Sequence, residues 1–239
     1  MKSIAEIKQI CGKKVQKDPG HLKLYRWLSW PITAVICDLP ITANMVTIFS
    51  YFLYFVACGI LVIAPYPYDI IASLFIYAAL TLDYVDGNIA RYKGQSKLGG
   101  SLLDSIGHSF IPAILIVAIG FAAISHNIVY YSESTIGGLY LICTFVSSFF
   151  FLAGRELSTK KDYLAVAYTK AEPTNSESGF NLLGRPTLHI YELILICAIF
   201  NVLNWLIIFY AVFLPLKYFG SIVFYMRSLN RRELRKANE

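Results

Sequence analysis

The chain has 239 residues, of which 56% are hydrophobic and 15% are charged, and its mean hydropathy is +0.56. This composition excludes an ordinary soluble domain and is typical of a protein that crosses a membrane several times. The net charge of +6 fits anionic lipid headgroups or phosphate-bearing substrates, and without a basic soluble module it argues against nucleic acid as a partner.

The chain begins polar and basic, and we predict that residues 1–36 form a cytoplasmic or interfacial helical segment. Residues 21–36 (HLKLYRWLSWPITAVI) mix two tryptophans with a lysine and an arginine, a pattern that suits the boundary between membrane and water. The pattern predicts an amphipathic interfacial helix here, with a plain linker as the alternative. Thr42 is expected to cap the helix that follows.

Six stretches approach the roughly 20 apolar residues that a membrane-spanning helix needs. They lie near residues 43–64, 69–90, 102–125, 136–157, 187–203 and 205–227. The fifth is short and is separated from the sixth only by a turn at Asn201–Asn204, so one long or broken helix is the alternative there. We therefore predict an all-α integral membrane protein, with a six-helix domain over residues 37–228 and a basic cytoplasmic tail over residues 229–239.

The basic residues predict the orientation. Twenty of the 21 lysines and arginines lie before the first window, in or at the edges of the second-to-third and fourth-to-fifth connections, or from the end of the last window onward, and Lys217 is the exception. By the positive-inside rule this places both termini in the cytoplasm and supports an even number of spans. We expect an integral protein of the bacterial inner (cytoplasmic) membrane.

Two clusters of polar residues interrupt the apolar pattern. Asp83, Asp86, Gly87 and Ala90 stand at i, i+3, i+4 and i+7, which places them on one face of the second helix, with Arg91 at its cytoplasmic boundary. Ionisable groups at membrane depth are costly and mark a functional site by default.

The second cluster begins the third helix, where Gly100, Asp104 and His108 stand at i, i+4 and i+8. A short connection makes the two helices antiparallel neighbours, so their acidic faces would repel each other unless cations lie between them. Carboxylate oxygens favour Mg²⁺ or Mn²⁺, and we predict two such ions. The alternative is that these carboxylates only form hydrogen bonds between helices.

The glycines and Ala90 leave room for a ligand to approach the backbone, and Arg91 can hold a phosphate. The residues by themselves therefore indicate a metal-dependent phosphoryl-transfer site that faces the cytoplasm.

The spacing resembles the signature of the CDP-alcohol phosphotransferase family, D-x2-D-G-x2-A-R-x8-G-x3-D-x3-D, with His108 in place of the last aspartate. The stretches PITANMVT (residues 40–47) and GRPT (residues 184–187) resemble the starts of the family's first and fifth helices. The likeness covers most of residues 35–228.

The resemblance implies transfer of a phosphate-linked alcohol from a CDP-linked donor to a hydroxyl acceptor (a lipid, polyol or glycan) with release of CMP, as in phospholipid biosynthesis. It also implies a homodimer. By this likeness the metal ligands are Asp83, Asp86, Asp104 and His108, and the nucleotide-binding residues are Asp83, Gly87, Ala90, Arg91 and Gly100.

His108 leaves three interpretations of the mechanism open, because the family's last acidic residue is both a metal ligand and the proposed base. His108 is base and ligand, base alone beside a weakened metal site, or neither. An imidazole accepts a proton near pH 7, whereas as a ligand it favours Mn²⁺ or Zn²⁺ over Mg²⁺. If it is neither, His108 is a packing residue and the base lies elsewhere, or the chain is an impaired family member that binds substrate without turnover. A transporter or scaffold is the non-enzymatic alternative.

Two further arginines are candidates for binding the acceptor or a phosphate. Arg155 and Arg185 are expected at the cytoplasmic ends of the fourth and fifth helices, where fixed cations can hold anions. The alternative is that they only follow the positive-inside rule.

Overall fold

The computed structural model describes residues 3–12, 23–94, 98–128, 134–169 and 190–236, and all regular structure in them is helical. The helices are α1 (Ile4–Gly12), α2 (Lys23–Ile36), α3 (Ala43–Ile63), α4 (Tyr68–Tyr92), α5 (Leu98–Ile128), α6 (Ser134–Thr169), α7 (Ile190–Ile199) and α8 (Leu203–Lys236). The predicted all-α class is confirmed for this part of the chain.

Five helical segments in the described residues are long and apolar enough to cross a membrane. They are Ala43–Ile63, Tyr68–Tyr92, Ile106–Ser125, Ile136–Lys160 and Leu203–Arg227. These segments match the first four predicted windows and the sixth, so the chain is an integral membrane protein. The fifth window contains α7, which has 10 described residues, and residues 170–189 lie outside the described part. The sixth span and the side on which the termini lie stay predictions.

The predicted break before the last span is confirmed. Residues 200–202 form a turn between α7 and α8, in which Asn201 has a φ of 54° and the Val202 N–H donates to the Cys197 carbonyl at 2.8 Å. Asparagine is among the residues that best tolerate this left-handed backbone conformation. A single unbroken helix over the last two windows is therefore wrong.

The chain divides into two compact units, Met1–Ile111 and Pro112–Glu239. In the first unit, α3 and α4 pack along each other, and α1 and α2 pack against α4. The helix α3 begins at Thr42, whose side chain accepts a hydrogen bond from the Met45 N–H at 3.3 Å, as predicted for a helix cap.

Within the segment predicted to form an interfacial helix, residues 23–36 form α2, and the two sides of α2 differ. The side that faces the protein carries Tyr25, Ser29, Trp30, Thr33 and Ala34. The exposed side carries Leu24, Trp27, Leu28, Ile32 and Val35. Such an apolar outer side suits a lipid surface, although the location of α2 on the membrane stays a prediction. The buried side carries two hydroxyl groups, and these bear on the site described below.

In the second unit α6 packs against α8 through aromatic rings. The Phe150 ring lies 5.5 Å from the Tyr218 ring and 5.8 Å from the Phe219 ring, measured between centroids. Thr144 of α6 lies directly over Gly120 of α5, and a Cβ atom at Gly120 would overlap its side chain. This interior is therefore held together by close packing.

Candidate functional site

The last turns of α4 carry the first polar cluster on one face, as the spacing predicted. Successive residues of a helix are rotated by about 100°, so Asp83, Gly87 and Ala90 share the centre of this face and Asp86 and Arg91 flank it. Asp86 is buried, and the other four are half-buried.

Two other helices cover the remaining sides of α4. On one side, Val85 and Ile89 pack with Ala43 and Val46 of α3 in an apolar cluster. On another side, α2 packs against Tyr84. The α2 and α3 contacts thus leave the polar face as the third side of the helix.

Helix α2 contacts Tyr84 through ring stacking and a cation–π interaction. The Tyr25 ring stacks on the Tyr84 ring with centroids 6.4 Å apart, and the Arg26 guanidinium lies 5.0 Å from the Tyr84 centroid. Stacked rings and a cation over a ring face are both favourable geometries. They hold α2 in a fixed position along the polar end of α4.

Asp86 is held by a residue of α3. Its side chain is 9% exposed, and its Oδ2 atom accepts a hydrogen bond from the Thr47 hydroxyl at 2.5 Å. A buried carboxylate needs such partners because leaving water is costly for a charge. Thr47 therefore fixes the orientation of the Asp86 carboxylate.

Arg91 folds back along its own helix over Gly87. A Cβ atom placed on Gly87 would lie 3.3 Å from Arg91 Nη2, closer than an ordinary van der Waals contact. The guanidinium group also donates from Nη2 to Asn88 Oδ1 at 2.9 Å. Glycine at position 87 therefore provides the space that the Arg91 side chain occupies.

Helix α1 reaches the same end of α4. The Cys11 thiol is buried and donates to the Asn88 carbonyl, with sulfur and oxygen 3.4 Å apart. Burial raises the pKa of this thiol above its ordinary value of 9.0, and the positive charge of Arg91 opposes that rise. The electrostatic influence of Arg91 therefore extends to α1.

The second polar cluster lies on α5, which contains Gly100, Asp104 and His108 as predicted. The side chain of His108 is exposed, whereas the Asp104 side chain and the surroundings of Gly100 lie outside the described residues. Near them, Tyr51 of α3 packs against Gly107 and donates its hydroxyl to the Leu103 carbonyl at 2.8 Å. This contact attaches the start of α5 to α3.

The residues fit a divalent metal in part. Asp83 and Asp86 supply hard oxygen atoms one helical turn apart, which is the donor type that Mg²⁺ and Mn²⁺ prefer. Among the side chains that the structure describes, no three His, Cys, Asp or Glu groups lie close enough to hold one ion. The predicted set also includes the undescribed Asp104 side chain, so the metal ligands stay a prediction.

The two arginines predicted to bind the acceptor do not lie on α4. Arg155 lies on α6 in the second unit, and Glu156 beside it forms an ion pair with Lys160 at 3.2 Å. Arg185 lies outside the described residues. Lys217, a basic residue inside the last candidate span, lines a pocket between α6 and α8.

Four residues of this site were missed by the reasoning from sequence: Thr47, Asn88, Ser29 and Thr33. All four are buried polar side chains. Polar residues inside apolar helices carry a signal by themselves because they must find a partner. The spacing of Ser29 and Thr33 at i and i+4 also indicates one shared face. That signal was available in the sequence, although it names no partner.

Comparison with known protein families decides the classification. The model of the CDP-alcohol phosphatidyltransferase family matches residues 40–223, which is more than half of the chain. The chain belongs to this family. A comparison with curated proteins finds no match.

Membership of the CDP-alcohol phosphatidyltransferase family confirms the resemblance drawn from the motif. Members of this family transfer a phosphate-linked alcohol from a CDP-alcohol and generally depend on a divalent metal. The matched residues include all of α3, α4, α5, α6 and α7. The face of α4 described above therefore lies within the family domain.

Proposed function

We propose that this protein is a metal-dependent CDP-alcohol phosphotransferase that acts on an acceptor hydroxyl and releases CMP. The acceptor oxygen forms a bond to the β-phosphorus of the donor. The bond between that phosphorus and the oxygen leading to the α-phosphate breaks, and CMP leaves with this oxygen. The proton of the acceptor hydroxyl passes to a base on the protein.

The observation that carries the proposal is the polar face of α4. Asp83, Gly87, Ala90 and Arg91 lie together, and Thr47 orients the adjoining Asp86 carboxylate. A fixed carboxylate beside a guanidinium group supports binding of both a cation and a phosphate. Non-polar packing alone would not require these groups at the end of a membrane helix.

Asp83, Asp86 and Asp104 would hold Mg²⁺ or Mn²⁺, with two ions in the full site. When bound, such ions neutralise phosphate charge and orient the donor. The chain's own residues do the rest of the binding: Arg91 holds a phosphate, and Gly87, Ala90 and Gly100 let the nucleotide approach the backbone. Arg155 and Arg185 would hold the acceptor or its phosphate.

For the proton we propose His108 as the acceptor. Its exposed side chain on α5 supports access to a bound hydroxyl group, and imidazole is suited to proton transfer near neutral pH. A metal-binding role for the same side chain is a separate hypothesis. It is tested by the metal preference of the variants below.

The test is CMP release by the purified protein with a panel of CDP-alcohols and either Mg²⁺ or Mn²⁺. We expect Asp83→Asn and Asp86→Asn to abolish release. The matched control is Asp69→Asn, which removes another buried carboxylate of α4 and should leave release intact, since Asp69 lies roughly 21 Å from Asp83 and roughly 26 Å from Asp86 along the helix. If the wild type releases CMP from no donor, the enzymatic proposal is wrong.

The same assay decides the role of His108. His108→Ala is expected to reduce the rate strongly, and normal rates would remove His108 from the mechanism. An increase in Mg²⁺-supported activity in His108→Asp would support a ligand role, because a carboxylate binds Mg²⁺ better than an imidazole does.

The proposal also covers the oligomeric state and the membrane orientation of the protein. We expect a homodimer in the bacterial inner membrane, with the polar face of α4 open to the cytoplasm. Light scattering of the purified protein would report its mass. Labelling of an introduced tail cysteine from either side of the membrane would report the orientation.

A further inference from the structure

Asn88 is a buried side chain at the polar end of α4 that makes three side-chain hydrogen bonds. It is 0% exposed. Its Nδ2 atom donates to Ser29 Oγ and to Thr33 Oγ1, each at 3.2 Å, and its Oδ1 atom accepts from Arg91 Nη2 at 2.9 Å. Both donors and one acceptor position of the amide are therefore used.

The two hydroxyl groups of α2 determine which way this amide points. Ser29 Oγ donates to the Arg26 carbonyl at 2.8 Å, and Thr33 Oγ1 donates to the Ser29 carbonyl at 2.7 Å. Each hydroxyl has one proton, so both offer only lone pairs to Asn88. The NH₂ group must face α2, and the amide oxygen must face Arg91.

This arrangement connects the buried side of α4 with its polar face. The Arg91 side chain passes from the Asn88 side to a position over Gly87, where its guanidinium lies 3.3 Å from an ideal Cβ position. A guanidinium group binds a phosphate well only when its plane is correctly oriented. The bond to Asn88 restricts that plane before any ligand arrives.

We infer that Asn88 is a positioning residue: it holds the Arg91 guanidinium over Gly87, in an orientation set by Ser29 and Thr33 of α2. This deepens the proposed function, on which the phosphate-binding role of Arg91 rests. Asn88 does not touch the donor and acts through Arg91. A helix before the first membrane span thereby contributes to the geometry of the site.

The first test is a double-mutant cycle on nucleotide binding, with CMP and Mg²⁺ as the probe and titration calorimetry as the readout. Asn88→Ala should weaken CMP binding about tenfold when Arg91 is present, because misplacement of a binding group costs affinity. In an Arg91→Ala background the same change should have almost no effect. Equal weakening in both backgrounds would show a purely structural role and overturn the inference.

A second set of variants leaves α4 unchanged, in case Asn88→Ala does not fold. The double variant Ser29→Ala/Thr33→Val removes the hydroxyls that orient Asn88 and should weaken CMP binding in the same direction. The control is Ser73→Ala, another buried hydroxyl of α4 that donates only within its own helix, to the Asp69 carbonyl. No difference between the α2 double variant and this control would contradict the inference.

A third measurement needs no nucleotide. Phenylglyoxal modifies arginine side chains, and the rate at Arg91 can be followed by mass spectrometry of its peptide. We expect faster modification in Asn88→Ala than in wild type and in Ser73→Ala. If wild type neither binds CMP nor releases it, the proposed function fails. The rate of Arg91 modification still tests whether Asn88 positions Arg91. An unchanged rate would overturn the inference.

Discussion

Some buried polar side chains of the first compact unit bond to side chains of another helix, whereas two in the second unit bond to their own helix. In the second unit, Thr144 and Ser147 each donate at 2.7 Å to a carbonyl four residues earlier on their own helix. In the first unit, Thr47 and Asn88 bond to side chains of other residues, and both reach a different helix.

A buried polar group can merely be satisfied by a hydrogen bond, or its hydrogen bond can also hold another side chain in place. A hydroxyl that bonds to its own helix is satisfied without fixing any other side chain. A bond between helices fixes one side chain relative to another, as Thr47 does for Asp86. In the second unit the described bond between helices runs from Asn204 Nδ2 to the Tyr140 hydroxyl at 3.4 Å, near the long limit for a hydrogen bond.

The largest effect is expected from a pair of matched threonine substitutions. Thr47→Val removes the hydrogen bond that orients Asp86 and should lower metal-dependent CMP release by about tenfold, as loss of a group that supports a metal ligand does. Thr144→Val removes a buried hydroxyl that bonds only to its own helix, and we expect no comparable loss. The rate of CMP release, measured as a function of Mg²⁺ concentration, tests this prediction. Similar rates in Thr47→Val and Thr144→Val would show that bonding between helices in the first unit has no special role.

Much of this architecture could be predicted from local patterns. Hydropathy located the five helices that are long and apolar enough to cross a membrane, and helical spacing alone placed Asp83, Gly87, Ala90 and Arg91 on one face. The Thr42 cap followed from the polar residue before an apolar run. These features depend on residues close in sequence, which is why the sequence was sufficient for them.

The supporting residues depend on packing between helices, and this was not predictable. Asn88 occupies a variable position of the motif, and nothing in its neighbours indicates that Ser29, which is 59 residues earlier, would face it. The same holds for Thr47 and Asp86. Hydropathy shows that a helix is apolar, but it does not show which neighbouring helix packs against each of its sides.

A medium effect is expected where α3 meets α5 in the first unit. Gly107→Ala would place a methyl group where the Tyr51 ring and hydroxyl now lie, and should destabilise the protein by about 1–3 kcal/mol. Gly59→Ala on α3 is the control, since among the described residues no atom beyond the neighbouring helix backbone lies within 4 Å of its Cβ position. Alanine favours a helix by up to about 1 kcal/mol over glycine, so this control should be neutral or stabilising.

Unfolding of the detergent-solubilised protein, followed by circular dichroism, measures both glycine variants. Combining Gly107→Ala with Tyr51→Ala should lessen the harm of the first change, because the second removes the overlapping ring. A Gly107→Ala protein as stable as Gly59→Ala would contradict the close contact between α3 and α5.

The smallest effect concerns pH and Cys11. Burial raises the pKa of this thiol, so its folding contribution is present below the ordinary value of 9.0 and is lost as the pH rises through the folded-state pKa. Alkylation requires the thiolate and should therefore begin at higher pH than in the unfolded chain.

The positive charge of Arg91 lowers the pKa of the Cys11 thiol, so Arg91→Gln should move the alkylation profile further toward high pH. Lys93→Gln removes a nearby cation that bonds to the Leu39 and Ile41 carbonyls instead, and it should leave the profile in place. An equal shift in both variants would show that Cys11 senses overall charge and not the position of Arg91.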